Sequence, residues 1–294
     1  MDIVARFNEL YASDEDCREI VRKLKWPSGF RCPVCNHNAA YTIATRRLPL
    51  YECVKCGRQT SLTAGTVMDK SSTSLRKWLL AMYIVASSEN GINAVRLSEL
   101  IAVTYKTAWS MLNKLRRVIS ETDRRILLAG RVEAKLEVYM RQPVPTYELL
   151  QREHAAIAAR MVFPDRSSYL KIKLLHSGQN PRTLLTPKAE QAFMDKHVRS
   201  NKVTHLEIMR KHTNLSGMAS PLTRLARTAF QWMNDTFHGI GLPNSQYYLD
   251  EFCFRANHAG QSTGSPFESL LHLCLSASTS AGQPEPRETL LNTG

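Results

Sequence analysis

Four cysteines in two closely spaced pairs are the residues of this sequence whose type and spacing most directly imply chemistry. Cys32 and Cys35 form the first pair, Cys53 and Cys56 form the second, and 17 residues separate the two pairs. This spacing is typical of a zinc site with four thiolate ligands. Four thiolates close a tetrahedron and leave no open position, so the pattern predicts a structural Zn²⁺. His37 is interpreted as a neighbouring surface residue.

The remaining cysteines and the start of the sequence bear on the compartment. Cys17, Cys253 and Cys274 occur at helix-like positions and are predicted to be small buried apolar residues. The first residues lack the order of a signal peptide, and no apolar run is long enough to span a bilayer. We therefore expect metal-bound thiolates in a reducing compartment, a cytoplasmic location and no membrane partner.

The positive charge is concentrated in one part of the sequence. The net charge is +13, and residues 17–117 hold 17 Lys and Arg against 5 Asp and Glu. A basic stretch of this kind favours a polyanionic partner, since neutralised phosphates release counterions. A basic surface that binds only water remains the alternative. The cations expected to contact DNA from the zinc-binding segment are Arg46, Arg47, Lys55 and Arg58.

Residues 97–115 have the pattern of two short helices joined by a turn near Ala102–Thr104. This pattern predicts a helix-turn-helix whose second helix lies in the major groove of DNA. Ala108, Met111, Leu112 and Leu115 would form the buried face of the second helix. A basic helical hairpin is the alternative, because the motif is weakly specified by sequence. The side chains expected to contact DNA are Tyr105, Lys106, Thr107, Ser110 and Lys114, with Asn113 on the same face.

Beyond Gly130 the hydrophobic period changes from helical to alternating. Arg131–Met140 alternates strictly, which predicts a half-buried strand. Ala156–Phe163 and Tyr169–Leu175 are two more strand candidates, a helix is expected from Pro187 through His197, and Lys202–Ile208 is a possible fourth strand. This order of elements would suit an RNase-H-like nuclease core, although many other α/β domains share it.

Several longer motifs extend the pattern of the four cysteines. They are Trp26-Pro27-Ser28-Gly29-Phe30 before the cysteines, Arg58–Thr66, Leu75-Arg76-Lys77-Trp78, Tyr105-Lys106-Thr107-Ala108-Trp109, and Tyr248–Arg255 with Asn257. With these motifs, the N-terminal half is similar to bacterial insertion-sequence transposases that begin with a zinc ribbon, and the C-terminal run resembles the end of the same family. The match is close over residues 1–125 and about 235–275, and poor between them.

The resemblance implies a DNA transposase of the DDE type, in which acidic side chains hold two Mg²⁺ ions for cutting and joining strands. The sequence departs from that pattern in the catalytic region. Lys135 stands where the first catalytic aspartate is expected, and His205 stands near the second position. An ammonium group cannot ligate Mg²⁺. No catalytic residue is assigned, and the weak candidates for a rebuilt site are Glu133, Glu137 and Glu207.

Together these features predict an α+β multidomain protein that binds the ends of an insertion sequence for DNA transposition, with Mg²⁺ present only if it is catalytically active. The alternatives are a nuclease-inactive DNA-binding protein of transposase descent and a zinc-ribbon module that binds protein or RNA. We expect double-stranded DNA as partner, a homo-oligomer on DNA and association with the bacterial nucleoid. The expected domains are N-terminal helices at 1–25, the zinc ribbon at 26–70, the helix-turn-helix region at 71–125, a divergent RNase-H-like domain with C-terminal helices at 126–275, and a disordered tail at 276–294.

Overall fold

The computed structural model describes residues 2–46, 48–140, 153–165, 167–175, 184–211, 220–237, 240–259 and 265–276. The chain divides into two compact units, which are considered separately below. One unit comprises Asn8–Leu79 with Leu271–Gly294, and the other comprises Met1–Phe7 with Leu80–Leu270. Within the described residues, no helix is long and apolar enough to cross a membrane.

Short helices and a small antiparallel sheet occupy the first 87 residues. The helices are α1 (Ile3–Leu10), α2 (Asp14–Lys25) and α3 (Leu75–Ser87), and the strands are β1 (Ala40–Ile43), β2 (Leu50–Cys53) and β3 (Gln59–Ser61). The three strands pair in the order β1-β2-β3. A capping box starts α2, because the Ser13 hydroxyl accepts from the Asp16 amide while the Asp16 carboxylate accepts from the Ser13 amide.

A single lysine joins α2 to the segment that follows β3. The Nζ atom of Lys25 donates to the backbone oxygens of Ser61, Leu62 and Ala64 at 3.2, 2.8 and 2.7 Å. Three carbonyl acceptors satisfy the three donors of an ammonium group that is largely removed from water. This partial burial lowers the pKa of Lys25 to about 8. The lysine therefore orients the small sheet against the helix that precedes it.

The second unit, Met1–Phe7 with Leu80–Leu270, contains a helical segment, a mixed sheet and further helices. The helices are α4 (Ala94–Leu100), α5 (Tyr105–Arg125), α6 (Pro187–His197), α7 (Pro221–Phe237), α8 (Leu242–His258) and α9 (Pro266–Ser276), the last of which also enters the first unit. The strands are β4 (Leu128–Met140), β5 (Glu153–Val162), β6 (Ser168–Leu174) and β7 (Val198–Met209). The helix from Pro187 through His197 is confirmed, and the three later strands lie close to the expected positions.

The mixed sheet has the strand order β6-β5-β4-β7. The β4–β5 and β5–β6 pairs are antiparallel, whereas β7 runs parallel to β4 after the chain has passed through α6. One face of the sheet packs against α6, with Phe193 in that cluster. The other face packs against α7 and α8, where Phe230 and Leu249 lie in the cluster. The central strands are thus covered on both sides.

This double coverage corrects the expectation that Arg131–Met140 is a half-buried strand. The face that carries Lys135, Glu137 and Tyr139 was expected to be in water, yet all three side chains are buried. The two charges compensate each other, since Lys135 Nζ lies 3.4 Å from Glu137 Oε1. The Thr223 hydroxyl of α7 also contacts both groups, accepting from Lys135 at 2.6 Å and donating to Glu137 at 2.7 Å. Charge alternation in the sequence cannot distinguish such an internal pair from a solvated face.

The expected disordered tail lies almost wholly outside the described residues, since 277–294 are not among them. Its first residue, Ser276, ends α9. The three cysteines outside the two pairs are buried as expected. Complete burial raises the pKa of the Cys253 and Cys274 thiols, which keeps them protonated.

Candidate metal centre and nucleic-acid interface

The two cysteine pairs lie on two turns of similar construction. In the first, the amide of Asn36 donates to the carbonyl of Cys32, and in the second the amide of Gly57 donates to the carbonyl of Cys53. The residue after each pair has left-handed backbone, with φ of 58° at Asn36 and 67° at Gly57. Asn and Gly are the residues that adopt this conformation most readily. Both turns therefore follow from local sequence.

The paired β1–β2 strands bring the two turns together. The Sγ atoms of Cys32 and Cys56 are 3.6 Å apart, and those of Cys35 and Cys53 are 3.5 Å apart. All four sulfur atoms lie within 4.8 Å of one another. A zinc ion with Zn–S distances of about 2.3 Å requires tetrahedral sulfur atoms to be about 3.8 Å apart. The four thiols thus fit a structural Zn²⁺, and His37 is not part of the group.

The local electrostatics of the four thiols also suit a cation. Backbone amides of Cys35 and Val34 donate to the Cys32 sulfur and lower the pKa of its thiol to about 6. At Cys56 the Arg58 amide acts in the same direction, but the neighbouring thiols, Cys35 foremost, outweigh it and raise the pKa to about 12. Four sulfur atoms this close cannot all ionise without a compensating positive charge. A bound Zn²⁺ would supply that charge.

The cations expected to contact DNA from the ribbon lie at its surface. Arg46, Lys55 and Arg58 are exposed, and Arg47 lies outside the described residues. Lys55 lies between the two cysteines of the second pair and Arg58 follows them by two residues, so the backbone of the second turn sets their positions. Trp26, Phe30 and Tyr51 form an aromatic cluster in the ribbon, with ring centroids 4.9–6.1 Å apart, and Leu62 and Met68 are buried after its last strand. A module of this size would gain much of its stability from a bound metal.

The second predicted interface is the α4–α5 segment. Thr104 caps α5, because its hydroxyl accepts from the Thr107 amide at 3.2 Å. The same hydroxyl lies 2.9 Å from that of Thr107, so Thr107 takes part in the cap as well as lying on the predicted DNA face. The expected buried face of α5 is confirmed, since Ala108, Met111, Leu112 and Leu115 are all buried. The segment is therefore held by its apolar side.

The opposite side of α5 is exposed at its N-terminal end. Tyr105, Lys106, Ser110 and Lys114 are exposed there, and Thr107 and Asn113 are half-buried. Sequence reasoning had omitted Trp109 from the candidate contacts, although half of its surface is exposed on the same side. The signal that could have found it is its position, four residues after Tyr105 and three after Lys106, which places these side chains on one helix face.

The turn between α4 and α5 has a strained residue that yields a stability prediction. Ala102 has a φ of 49°, a conformation that costs an L-residue about 1 kcal/mol and costs glycine nothing. Glycine's greater freedom in the unfolded chain offsets part of this gain, so we expect Ala102→Gly to stabilise the second unit by about 0.5 kcal/mol. Urea unfolding followed by circular dichroism measures the change. Ala5→Gly in α1, an exposed helical site, should instead destabilise by about 1 kcal/mol. A lower midpoint for Ala102→Gly would contradict the prediction.

The weak catalytic candidates are held by positive charges of the protein itself. Glu133 accepts from Arg160 at 2.7 Å and from Arg131 at 3.1 Å, and these arginines lower the pKa of Glu133 despite its partial burial. Glu137 is buried against Lys135 and Thr223. Arg160, Arg131 and Lys135 thus compensate the negative charges that a metal ion would otherwise neutralise.

The third candidate, Glu207, lies on the exposed strand β7. It is the register partner of Glu133, and His205 is the partner of Arg131. Over the described ranges, the four cysteines are the one group of three or more metal-ligating side chains. The carboxylates of Glu133, Glu137 and Glu207 do not converge on one point, and Lys135 brings an ammonium into the same face. These residues do not fit a two-metal Mg²⁺ centre.

The C-terminal motif that carried part of the resemblance is a set of buried polar contacts. Glu251 Oε2 accepts from Arg116 Nε at 2.6 Å, and both side chains are at most 3% exposed. Arg116 also stacks on the ring of Tyr248, with its guanidinium carbon 3.9 Å from the centroid. Asn257 bonds both backbone groups of Leu170, at 2.6 and 3.0 Å. The motif therefore joins α8 to α5 and to the edge strand β6.

A second buried ionic group lies beside the first. Asp250 accepts from Lys173 at 2.6 Å and from the Ser120 hydroxyl at 2.6 Å. Lys173 also lies 2.5 Å from Asp123, and Lys171 bonds the same residue. Burial alone raises the pKa of Asp123, but the ammonium groups of Lys173 and Lys171 outweigh burial and hold it below its usual value. Sequence reasoning had not paired these residues, because the partners are 48 to 130 positions apart.

The class of fold and the cysteine geometry define a zinc ribbon. Residues 12–59 match the family model described as a transposase zinc-ribbon domain, a range that includes α2 and both cysteine pairs. An uncharacterized protein in transposable element ISH50 of Halobacterium salinarum is 27% identical to the chain over 110 residues. The alignment covers 37% of this chain and 37% of that protein, so the chain matches well under half of its relative's length. No solved structure matches the chain at a significant level.

Proposed function

We propose that this protein binds double-stranded DNA at the ends of an insertion sequence and thereby carries out the recognition step of transposition. The observation that carries the proposal is the exposed, acid-free face of α5, which lies opposite a completely buried face. The zinc-ribbon match supports a transposase-family role, and the ribbon adds exposed cations beside its second cysteine pair. In this proposal α4 and α5 form a helix-turn-helix, with Tyr105, Lys106, Thr107, Ser110 and Lys114 towards the groove.

The mixed sheet supports a further part of the proposal, that the second unit has an RNase-H-like core. Three antiparallel strands are followed by α6 and a fourth strand parallel to the first. The position on β4 where the resemblance expects a catalytic aspartate holds Lys135, whose ammonium is paired inside the protein with Glu137. We therefore propose that this core no longer cleaves DNA in Mg²⁺ and that it serves as a scaffold. Oligomerisation on DNA and association with the nucleoid stay predictions.

One experiment tests binding and cleavage together. The purified full-length protein is incubated in Mg²⁺ or Mn²⁺ with a duplex of the DNA that flanks its own gene, and with a scrambled duplex of equal length. We expect retardation of the flanking duplex at concentrations that leave the scrambled one free, and no strand cleavage. Cleavage at a defined end would contradict the scaffold role, and Glu133, Glu137 and Glu207 would be the first residues to change.

Two lysines on α5 give the corresponding variant. Lys106→Ala with Lys114→Ala should weaken binding about tenfold for each lysine, because each removes a charge-assisted contact to phosphate. The slope of log K against log salt concentration should fall by about 1 for each. The matched control is Lys196→Ala with Lys202→Ala, which removes two exposed lysines from α6 and β7. Equal binding by both double variants, with no preference among duplexes, would instead favour a zinc-ribbon module that binds protein or RNA.

A further inference from the structure

An exposed aromatic side chain lies at the centre of the N-terminal half of α5. Trp109 is 49% exposed, and Tyr105, one turn earlier, is 57% exposed. The other three tryptophans of the chain are at most 8% exposed. The exposed half of the Trp109 indole adds nothing to the core, to which Ala108, Met111 and Leu112 contribute from the buried face of α5. Large apolar side chains grouped on a surface mark interaction sites.

The charge around Trp109 indicates what class of partner this surface fits. The first 16 residues of α5, Tyr105–Ser120, contain no Asp or Glu, and the first acid of the helix is Glu121. Lys106, Lys114 and Arg117 are exposed along the same stretch. An exposed aromatic on a helical stretch that carries exposed cations and no acid complements a polyanion, whereas a hydrophobic protein partner would need no such charge.

The hydrogen-bonding groups of the indole indicate which part of the DNA Trp109 contacts. Its ring nitrogen is a donor and it has no acceptor, so most of what it can offer is apolar surface. The apolar group on the floor of the major groove is the C5 methyl of thymine, and N-terminal residues of a recognition helix are those that reach base edges. Trp109 occupies the fifth position of α5, between Lys106 and Ser110 on the exposed side.

We infer that Trp109 is a specificity-determining residue that packs on thymine methyl groups in the major groove of the recognised DNA. The inference rests on the proposed function and adds a base preference to it. Lys106 and Lys114 then hold the helix on the phosphates, and Trp109 selects A·T pairs at the positions it touches. Its loss relaxes specificity, and loss of the lysines weakens binding to every sequence alike.

The test replaces thymine by deoxyuridine, one A·T pair at a time, across the duplex that flanks the gene. Deoxyuridine lacks only the methyl group, whose burial is worth about fourfold in affinity. We expect the wild-type protein to lose about fourfold at one or more positions. Trp109→Ala should bind the thymine duplex about tenfold more weakly and show no further loss at those positions. Trp109→Phe, which keeps an apolar ring, should retain most of the affinity.

The control variant is Phe163→Ala, which removes another exposed aromatic at the end of β5 and should bind as the wild type does. A second measurement needs no variant. Acrylamide quenching of tryptophan fluorescence reports mainly Trp109, because the other tryptophans are buried. Quenching should fall sharply when the flanking duplex is added.

Each remaining outcome overturns the inference. If Trp109→Ala binds as tightly as the wild type, or remains equally sensitive to deoxyuridine at every position, Trp109 does not read thymine and only this inference fails. Unchanged acrylamide quenching in the complex leads to the same conclusion. If the wild-type protein binds no duplex at all, both this inference and the proposed function fail.

Discussion

Removal of the zinc is expected to unfold the ribbon and abolish specific DNA binding. A structural zinc contributes about 10–16 kcal/mol to a module of this kind, more than the apolar contacts of three strands and one aromatic cluster can supply. Cys35→Ser should have the same consequence, because it removes one of four sulfur atoms that lie within 4.8 Å of one another. We therefore expect a complete loss of folded structure in the ribbon and no unfolding elsewhere in the chain.

Hydrogen exchange by mass spectrometry measures that local unfolding. Peptides from residues 30–62 should lose their protection after chelation, whereas peptides from β4 and β5 should keep theirs. The control is Cys17→Ala, which removes a buried cysteine from the same unit outside the metal site. It should retain one zinc per chain and bind DNA. Protected ribbon peptides in the metal-free protein would show that the ribbon folds without zinc. Unchanged DNA binding by a protein with an unfolded ribbon would show that the ribbon does not contribute to recognition.

The second large effect is expected at the buried ion pair of Arg116 and Glu251. Glu251→Ala should destabilise the second unit by about 3–5 kcal/mol, because it leaves the Arg116 guanidinium buried without its carboxylate. The midpoint of urea unfolding measures the loss. Glu99→Ala, which removes one partner of the exposed pair Arg96–Glu99, should change stability by less than about 0.5 kcal/mol.

A double substitution distinguishes a structural role of the Arg116–Glu251 pair from a direct role of its charges in DNA binding. Arg116→Met with Glu251→Leu replaces the pair by apolar side chains of similar length and should recover most of the lost stability. DNA binding should recover with it, since α5 would again be held by its buried side. Recovery of the fold without recovery of DNA binding would contradict this account and would indicate that the charges themselves take part in recognition.

The zinc site was predictable because it is a local pattern. Two pairs with two intervening residues, and Asn or Gly after each pair, contain almost all the information that the geometry needs. The same applies to the buried face of α5, where helical spacing and hydrophobicity coincide. A resemblance based on these motifs agrees with the match of residues 12–59.

The polar face of β4 shows where local pattern was insufficient. Lys135 and Glu137 alternate as solvated residues do, and nothing near them in sequence indicates that Thr223 of α7 covers them. The C-terminal motif was recognisable as a motif, but its partners are Arg116, Ser120 and Leu170 on distant elements. A hydrogen bond between residues more than 80 positions apart exists only once the chain has folded.

The sequence alone indicated the cysteine cluster, the basic stretch and most of the helices, because each depends on residues that are close together along the chain. Tertiary structure decided which charges are available for chemistry. It placed Glu133 beside Arg160, buried Glu137 against Lys135, and kept half of the Trp109 side chain exposed. The physical reason is that the energy of a charge or an aromatic ring depends on its partners and its exposure to water. Both are properties of the packed molecule.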